Sequence, residues 1–190
     1  MVNVAIFVSG SGTNCENIIR HFSGSGLVRV ALVLSNRPDA YALVRASNLG
    51  VPTAVMAKAD FADEAKLMGL MDSHHIDFIV LAGFLLMVPP FLTERYPRRI
   101  VNIHPALLPK YGGKGMYGHH VHEAVRASGD TETGITIHYV SNVCDGGEII
   151  FQAKTPVLPT DTPDDIAASV HKLEQLYFPE VIERVIGEVF

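Results

Sequence analysis

The sequence predicts an α/β fold: a doubly wound, mostly parallel sheet with helices on both faces and an antiparallel edge. Three observations lead there. Short β-rich apolar runs alternate with helical patterns along the whole chain. The early runs are apolar nearly throughout, as in parallel strands covered on both sides, whereas the later ones alternate apolar with polar residues, as antiparallel strands do. At 190 residues the chain fits one domain with a well-buried core and would be cramped as two. It contains no internal repeat, low-complexity tract or linker, so it reads as a single domain over 1–190.

Strands are expected at Val2–Val8, Val28–Leu34, Thr53–Met56, Phe78–Ala82, Ile100–Ile103, Gly134–Val140 and Glu148–Thr155, with helices filling most of the gaps. Met1 to Val8 is apolar but has no basic leader and soon meets Gly10, so it is a first strand rather than a signal peptide. The helical pattern after it carries Ile18, Ile19 and Phe22. The last helix has a full start signal, with Thr162 as N-cap, Pro163 at its first position and Asp165 at its third. Ile166, Val170, Leu173 and Tyr177 then follow at intervals of four, three and four, the spacing of a core-facing stripe.

Composition excludes several classes. Twenty acidic residues against 15 basic ones give a net charge of -5 with no block of like charge, which argues against nucleic-acid or membrane-surface partners. No run approaches the roughly 18 apolar residues of a membrane span. Cys15 and Cys144 have no metal-type spacing between them, so neither a disulfide framework nor structural zinc is expected, and a reducing cytoplasm is the natural compartment.

The residues considered for chemistry fall in five places. Ser9-Gly10-Ser11-Gly12-Thr13-Asn14 joins the first strand to a helix and presents backbone N–H groups at a helix start, where an anion binds. A dinucleotide fingerprint is rejected, because its third glycine would be Cys15 and the second strand ends in Ser35-Asn36-Arg37 with no acid for a ribose. The turn is read as a cradle for a single phosphate at Gly12, Thr13 and Asn14, or else as a structural turn. Further on, Asn102-Ile103-His104-Pro105-Ala106-Leu107-Leu108-Pro109 ends an apolar strand. Strand alternation projects Asn102 and His104 to one side, an amide donor beside a group that donates or moves a proton. Asp145-Gly146-Gly147 places an acid in a loop of close backbone approach. His138 shares a strand face with Thr136, either lining a site or simply hydrogen-bonded. In Tyr117-Gly118-His119-His120-Val121-His122-Glu123, only His119 and His122 have helical spacing and no third ligand is evident, so no metal is expected.

Together, Phe7 to Asn14, Leu81-Ala82-Gly83-Phe84, Asn102 to Pro109 and Asp145-Gly146-Gly147 resemble the folate-dependent formyltransferases in order and spacing. The resemblance covers essentially the whole chain. The glycine turn, the length and the carboxyl-terminal helix are similar to the glycinamide ribonucleotide branch; the branches with an additional domain would need more than 190 residues. The resemblance implies a formyltransferase fold and formyl transfer from 10-formyltetrahydrofolate, as co-substrate, to the primary amine of 5'-phosphoribosylglycinamide in purine synthesis, with no metal. It implies that Asn102 and His104 hold the oxyanion and that Asp145 orients and charges His104 and assists the proton transfer. It further implies that Gly12, Thr13 and Asn14 hold the phosphate, that Glu174 binds the amino or ribose end with His171 near the phosphate, and that folate lies along Phe84, Leu85, Leu86, Met87 and Val88, against Asn102 and the loop around Asp145. His138 and Pro105 are the further residues expected to line the site. Its partners are then small molecules only, and its assembly a monomer or homodimer.

Two features depart from the family pattern. Leu86 stands where many relatives carry an arginine that can meet the folate glutamate. The glycine-rich loop from Lys110 to Gly118 is longer than in several relatives and has the composition of a flap. Rival readings are a phosphometabolite sensor, for which Asn102, His104 and Asp145 would be dispensable, a formyl hydrolase with water as acceptor, and a metal hydrolase built on His119, His120 and His122.

Overall fold

The computed structural model describes all 190 residues. Seven strands form one sheet: β1 (Val2–Val8), β2 (Val28–Ser35), β3 (Thr53–Val55), β4 (Phe78–Leu81), β5 (Ile100–His104), β6 (Glu132–Tyr139) and β7 (Ile149–Pro156). Their order is β3-β2-β1-β4-β5-β6-β7. Every pairing from β3 to β5 is parallel, and β6 and β7 are antiparallel additions. The fold class read from the sequence is the one observed. The strand bounds agree within about two residues; β6 starts earlier than expected because Glu132 and Thr133 already pair with Pro156 and Thr155.

Helices cover both faces. On one side α1 (Thr13–Phe22), α2 (Tyr41–Asn48), α6 (His119–Ser128) and α7 (Pro163–Val189) bury Ile18, Ala42, Val125, Ile166 and Ile182 against Val4, Ile6, Val101 and Ile137. On the other, α3 (Lys58–Phe61), α4 (Glu64–Ser73) and α5 (Pro90–Arg95) bury Phe61, Leu67, Met71 and Leu92 against Phe7, Leu32, Ile79 and Ile100. Each fully buried large apolar side chain of this kind contributes about 1.5–3 kcal/mol. The capping box of α7 is formed: Thr162 accepts from the Asp165 backbone and the Asp165 side chain accepts from the Thr162 backbone. Leu173 and Tyr177 pack against the core from half-buried positions, and beyond them Phe178, Val181, Ile182, Val185 and Ile186 take over the buried face.

The topology fixes where a ligand goes. The chain winds outward from β1 to β3 and then returns to the far side of β1 as β4. In open α/β sheets this reversal leaves a crevice at the carboxyl ends of the two central strands. Here the glycine turn follows β1, the Ala82–Val88 segment follows β4, and Asn102 and His104 end β5 beside them.

Candidate active site

A cleft of about 850 Å³ opens at this crevice. Its walls include the Ser9–Asn14 turn, Phe84 to Val88, Asn102 to Pro105, the Gly113–Gly118 loop, His138, Asp145 and Glu174.

The glycine turn is forced by close packing. Gly12 is the residue before α1, its φ is +78°, and a Cβ there would lie 2.4 Å from the Ala42 Cβ. Only glycine meets both demands at no cost. No side chain caps α1, so the first-turn N–H groups of Thr13 and Asn14 remain available to an anion. The Asn14 side chain is engaged elsewhere: its Nδ2 donates to Glu174 Oε2 at 2.9 Å and its Oδ1 accepts from Gln175 Nε2 at 3.0 Å. His171 Nδ1 lies 3.1 Å from the same Glu174 oxygen, and that hydrogen bond raises the His171 pKa against an opposing effect of burial. His171 is not part of the cleft wall; it stands behind Glu174.

At the other end of the crevice, antiparallel pairing sets Asn102 opposite His138 and His104 opposite Thr136. Hydrogen-bond partners fix the ring tautomers. His138 Nδ1 donates to the Tyr139 carbonyl at 2.8 Å, so its Nε2 accepts from Asn102 Nδ2 at 3.1 Å. Burial lowers the His138 pKa, the Tyr139 carbonyl and Asp145 opposing. The Asn102 amide is thereby oriented with its second N–H free for a ligand. His104 Nε2 donates to the Tyr111 carbonyl at 2.7 Å. Its Nδ1 faces Asp145 Oδ2 at 3.6 Å, an ion pair when the ring is protonated and longer than a hydrogen bond.

Asp145 is held from several directions. Its φ of +52° is left-handed, a conformation that Asp tolerates better than most side chains. Oδ2 accepts from the Gly113 backbone at 3.0 Å, and Oδ1 lies 3.7 Å from His138 Nε2. Gly147 is required close by, since a Cβ there would lie 1.7 Å from the Tyr139 carbonyl oxygen. The carboxylate therefore stands between two imidazoles, with its side chain 12% exposed.

The Phe84–Val88 wall of the cleft is apolar. Phe84 packs edge-on against Phe7 at 5.5 Å and tilted against Phe61 at 5.0 Å, while Leu86 is half-buried on the same core. Leu85 and Met87 remain exposed at the cleft, where Val143 joins them.

The formyl transferase family model matches residues 2–182. The chain belongs to the formyl transferase family. It is 38% identical over 188 residues to the phosphoribosylglycinamide formyltransferase of Haemophilus influenzae, covering 96% of this chain and 86% of that one. Among solved structures, the phosphoribosylglycinamide formyltransferase of Streptococcus pneumoniae TIGR4 is 38% identical with a TM-score of 0.86, over 97% of this chain and 99% of that one. The Bacillus halodurans enzyme of the same name is 33% identical with a TM-score of 0.89, over 99% and 97%. The family and branch resembled by the sequence motifs are those the comparisons return.

Within this formyl transferase, the cleft gathers Gly12, Thr13, Asn14, Phe84 to Val88, Asn102, His104, Pro105, His138, Asp145 and Glu174 into one space. It also brings in groups the sequence did not single out. Tyr111 and Gly113 act through backbone atoms, which leave no mark on residue type. Gln175 is one residue past Glu174 and anonymous without its partner Asn14. No group of three or more His, Cys, Asp or Glu side chains is arranged to hold a metal ion; His119 instead faces Glu123 and Asp164 at 3.8 and 3.7 Å. No helix is long and apolar enough to cross a membrane.

Proposed function

We propose that this enzyme transfers the formyl group of 10-formyltetrahydrofolate to the primary amine of 5'-phosphoribosylglycinamide, in the cytoplasm, as a step of purine synthesis. The convergence of Asn102, His104 and Asp145 on one cleft, whose far end is an uncapped helix start, carries this reading.

The geometry supports the following roles. The phosphate is held by the N–H groups at Thr13 and Asn14, and Glu174 accepts hydrogen bonds from the ribose or amino end. The folate lies on Phe84 to Val88, a wall that offers apolar area and no charge. The substrate amine is the nucleophile, so no covalent enzyme intermediate is required. As it attacks the formyl carbon, negative charge develops on the formyl oxygen. The free N–H of Asn102 is one donor to that oxygen; removal of such a donor costs about 100-fold to 1000-fold in turnover. His104 contributes a second only through Nδ1 and only when protonated, because Nε2 is committed to the Tyr111 carbonyl. Asp145 pairs with that protonated ring and takes part in moving the proton from the attacking amine to the leaving folate nitrogen. At 3.6 Å the carboxylate stabilises the charged ring without taking up the Nδ1–H, which stays directed to the oxyanion.

The test follows loss of the folate formyl group with and without the ribonucleotide, in the wild type and Asp145→Asn. Turnover that needs the ribonucleotide and collapses in the variant is expected. Loss of formyl without the ribonucleotide would indicate a hydrolase.

A further inference from the structure

His122 is unexplained by the roles above. It projects from α6 into the cleft wall and is only 7% exposed, yet its Nδ1 is enclosed with no hydrogen-bond partner. Folded proteins pair nearly all such atoms, and leaving one unpaired costs about 1–3 kcal/mol. An enclosed N–H is worse tolerated than an enclosed lone pair, so the proton of the neutral ring resides on Nε2. Burial lowers the pKa of this ring, the Glu174 carboxylate opposing and the His119 and His104 rings adding to it. At neutral pH the ring thus offers one directed donor.

Its surroundings say what that donor meets. The residue before α6, Gly118, lines the same cleft, and no side chain caps the helix. The first-turn N–H groups there add partial positive charge. His119 lies 3.7 Å from Asp164 at the start of α7, the helix that carries Glu174 and reaches Asn14. α6 packs against α7, and Gly118, His122 and Glu174 line the same cleft, so donors at the uncapped start of α6 select acceptor oxygens there. His119 and His122, with ring centroids 6.4 Å apart, gain no third partner for a cation.

We propose that His122 and the start of α6 complete the ribonucleotide site, His122 Nε2 donating to an oxygen of the phosphoribosyl group while Glu174 accepts from its hydroxyls. This inference rests on the phosphoribosyl amine being the substrate.

Steady-state kinetics with each substrate varied separately, in wild type, His122→Leu and His122→Gln, test it. His122→Leu raises the ribonucleotide KM about tenfold or more, leaving kcat and the folate KM within about twofold. His122→Gln, whose amide nitrogen can reach the position of the imidazole Nε2, recovers most of that loss. An unchanged ribonucleotide KM in His122→Leu, equal shifts in both KM values, or a Gln variant no better than Leu overturns the proposal. A wild type indifferent to the ribonucleotide removes the substrate reading and this inference together, whereas a dependent wild type with an indifferent Leu variant removes the inference alone. Should His122→Leu fail to fold, imidazole nitrogen NMR of the wild type decides. The Nε2–H tautomer and a shift of that nitrogen on adding glycinamide ribonucleotide are expected, and an unmoved resonance overturns it.

Discussion

The two ends of the cleft are built on different principles. At the end proposed to hold the phosphate, Asn14, Glu174, Gln175 and His171 hold one another through hydrogen bonds of 2.9 to 3.1 Å that tie α1 to α7. At the end proposed to hold the folate, Phe84 and Leu86 are held by packing, and Met87 and Val143 present bare apolar surface. Hydrogen bonds are directional, so an arrangement that must match a charged ligand is fixed before the ligand arrives. Apolar attraction scales with area and has little directional demand, so the folate end needs only shape. Loss at the first end is therefore steep and specific to one substrate, and loss at the second is graded.

The largest effects are expected where the two ends meet. Asp145→Asn keeps the size of the side chain and removes its charge, and kcat falls by about 100-fold to 10,000-fold, the range of a lost proton-transfer group. Asn102→Ala removes a donor to the oxyanion and lowers kcat about 100-fold to 1000-fold. Rapid-quench single-turnover rates check both, since product release does not enter them. If either variant lost only affinity for one substrate, the residue would belong to one end and not to the junction.

The ends themselves are compared by two milder substitutions. Asn14→Ala strips Glu174 and Gln175 of a partner each; the ribonucleotide KM rises about tenfold, as for a hydrogen bond to a charged group, with the folate KM unchanged. Met87→Ala removes apolar area worth about 1 kcal/mol on burial, so the folate KM rises about fivefold with the ribonucleotide KM unchanged. The double variant shows the two losses multiplied, because independent sites add in free energy. Coupling above about 0.5 kcal/mol in that cycle would mean that the ends communicate through the junction.

How far the sequence reveals each end follows from the same physics. The Gly12 turn is legible because a backbone conformation and a close approach to Ala42 demand one residue type. Asn102 and His104 are legible because strand alternation dictates a shared face, and the later strands declare themselves antiparallel by their polar alternation. Asp145 is legible as an acid in a loop of close backbone approach, but its pairing with His104 comes only with the resemblance, since nothing local says that a loop 41 residues beyond His104 in the sequence returns to it. The fixing of His104 by the Tyr111 carbonyl is invisible, because any residue supplies a carbonyl. The histidines of α6 read as a failed metal motif, since spacing describes ligands and not a single enclosed ring. The Lys110–Gly118 loop is flap-like by composition, yet its first half is tied by the Lys110–Asp130 pair and by the bond from Gly113 to Asp145.

The smallest expected effect is on stability, and its sign differs between the two buried rings, His138 and His122, and the half-exposed ring of His171. His138, 2% exposed, has its pKa lowered in the folded state. Between that lowered value and the ordinary value of about 6.5, the unfolded chain binds the proton and the folded chain does not. His122 behaves alike. Stability from these two rings is full above about pH 6.5 and is lost as pH falls, at most about 1.4 kcal/mol per unit for each. His171 runs the other way: its pKa is raised by Glu174, so its contribution is present below about 6.5 and fades as pH rises through the raised value. Its side chain is 43% exposed, so solvent screening leaves that contribution the minor one. The urea midpoint is therefore lower at pH 5.5 than at pH 7.5. His138→Gln, which keeps a polar group but cannot titrate, flattens the dependence, whereas His171→Gln steepens it slightly. A wild-type midpoint that rose on acidification would make His171 the dominant titrating ring and reverse this assignment.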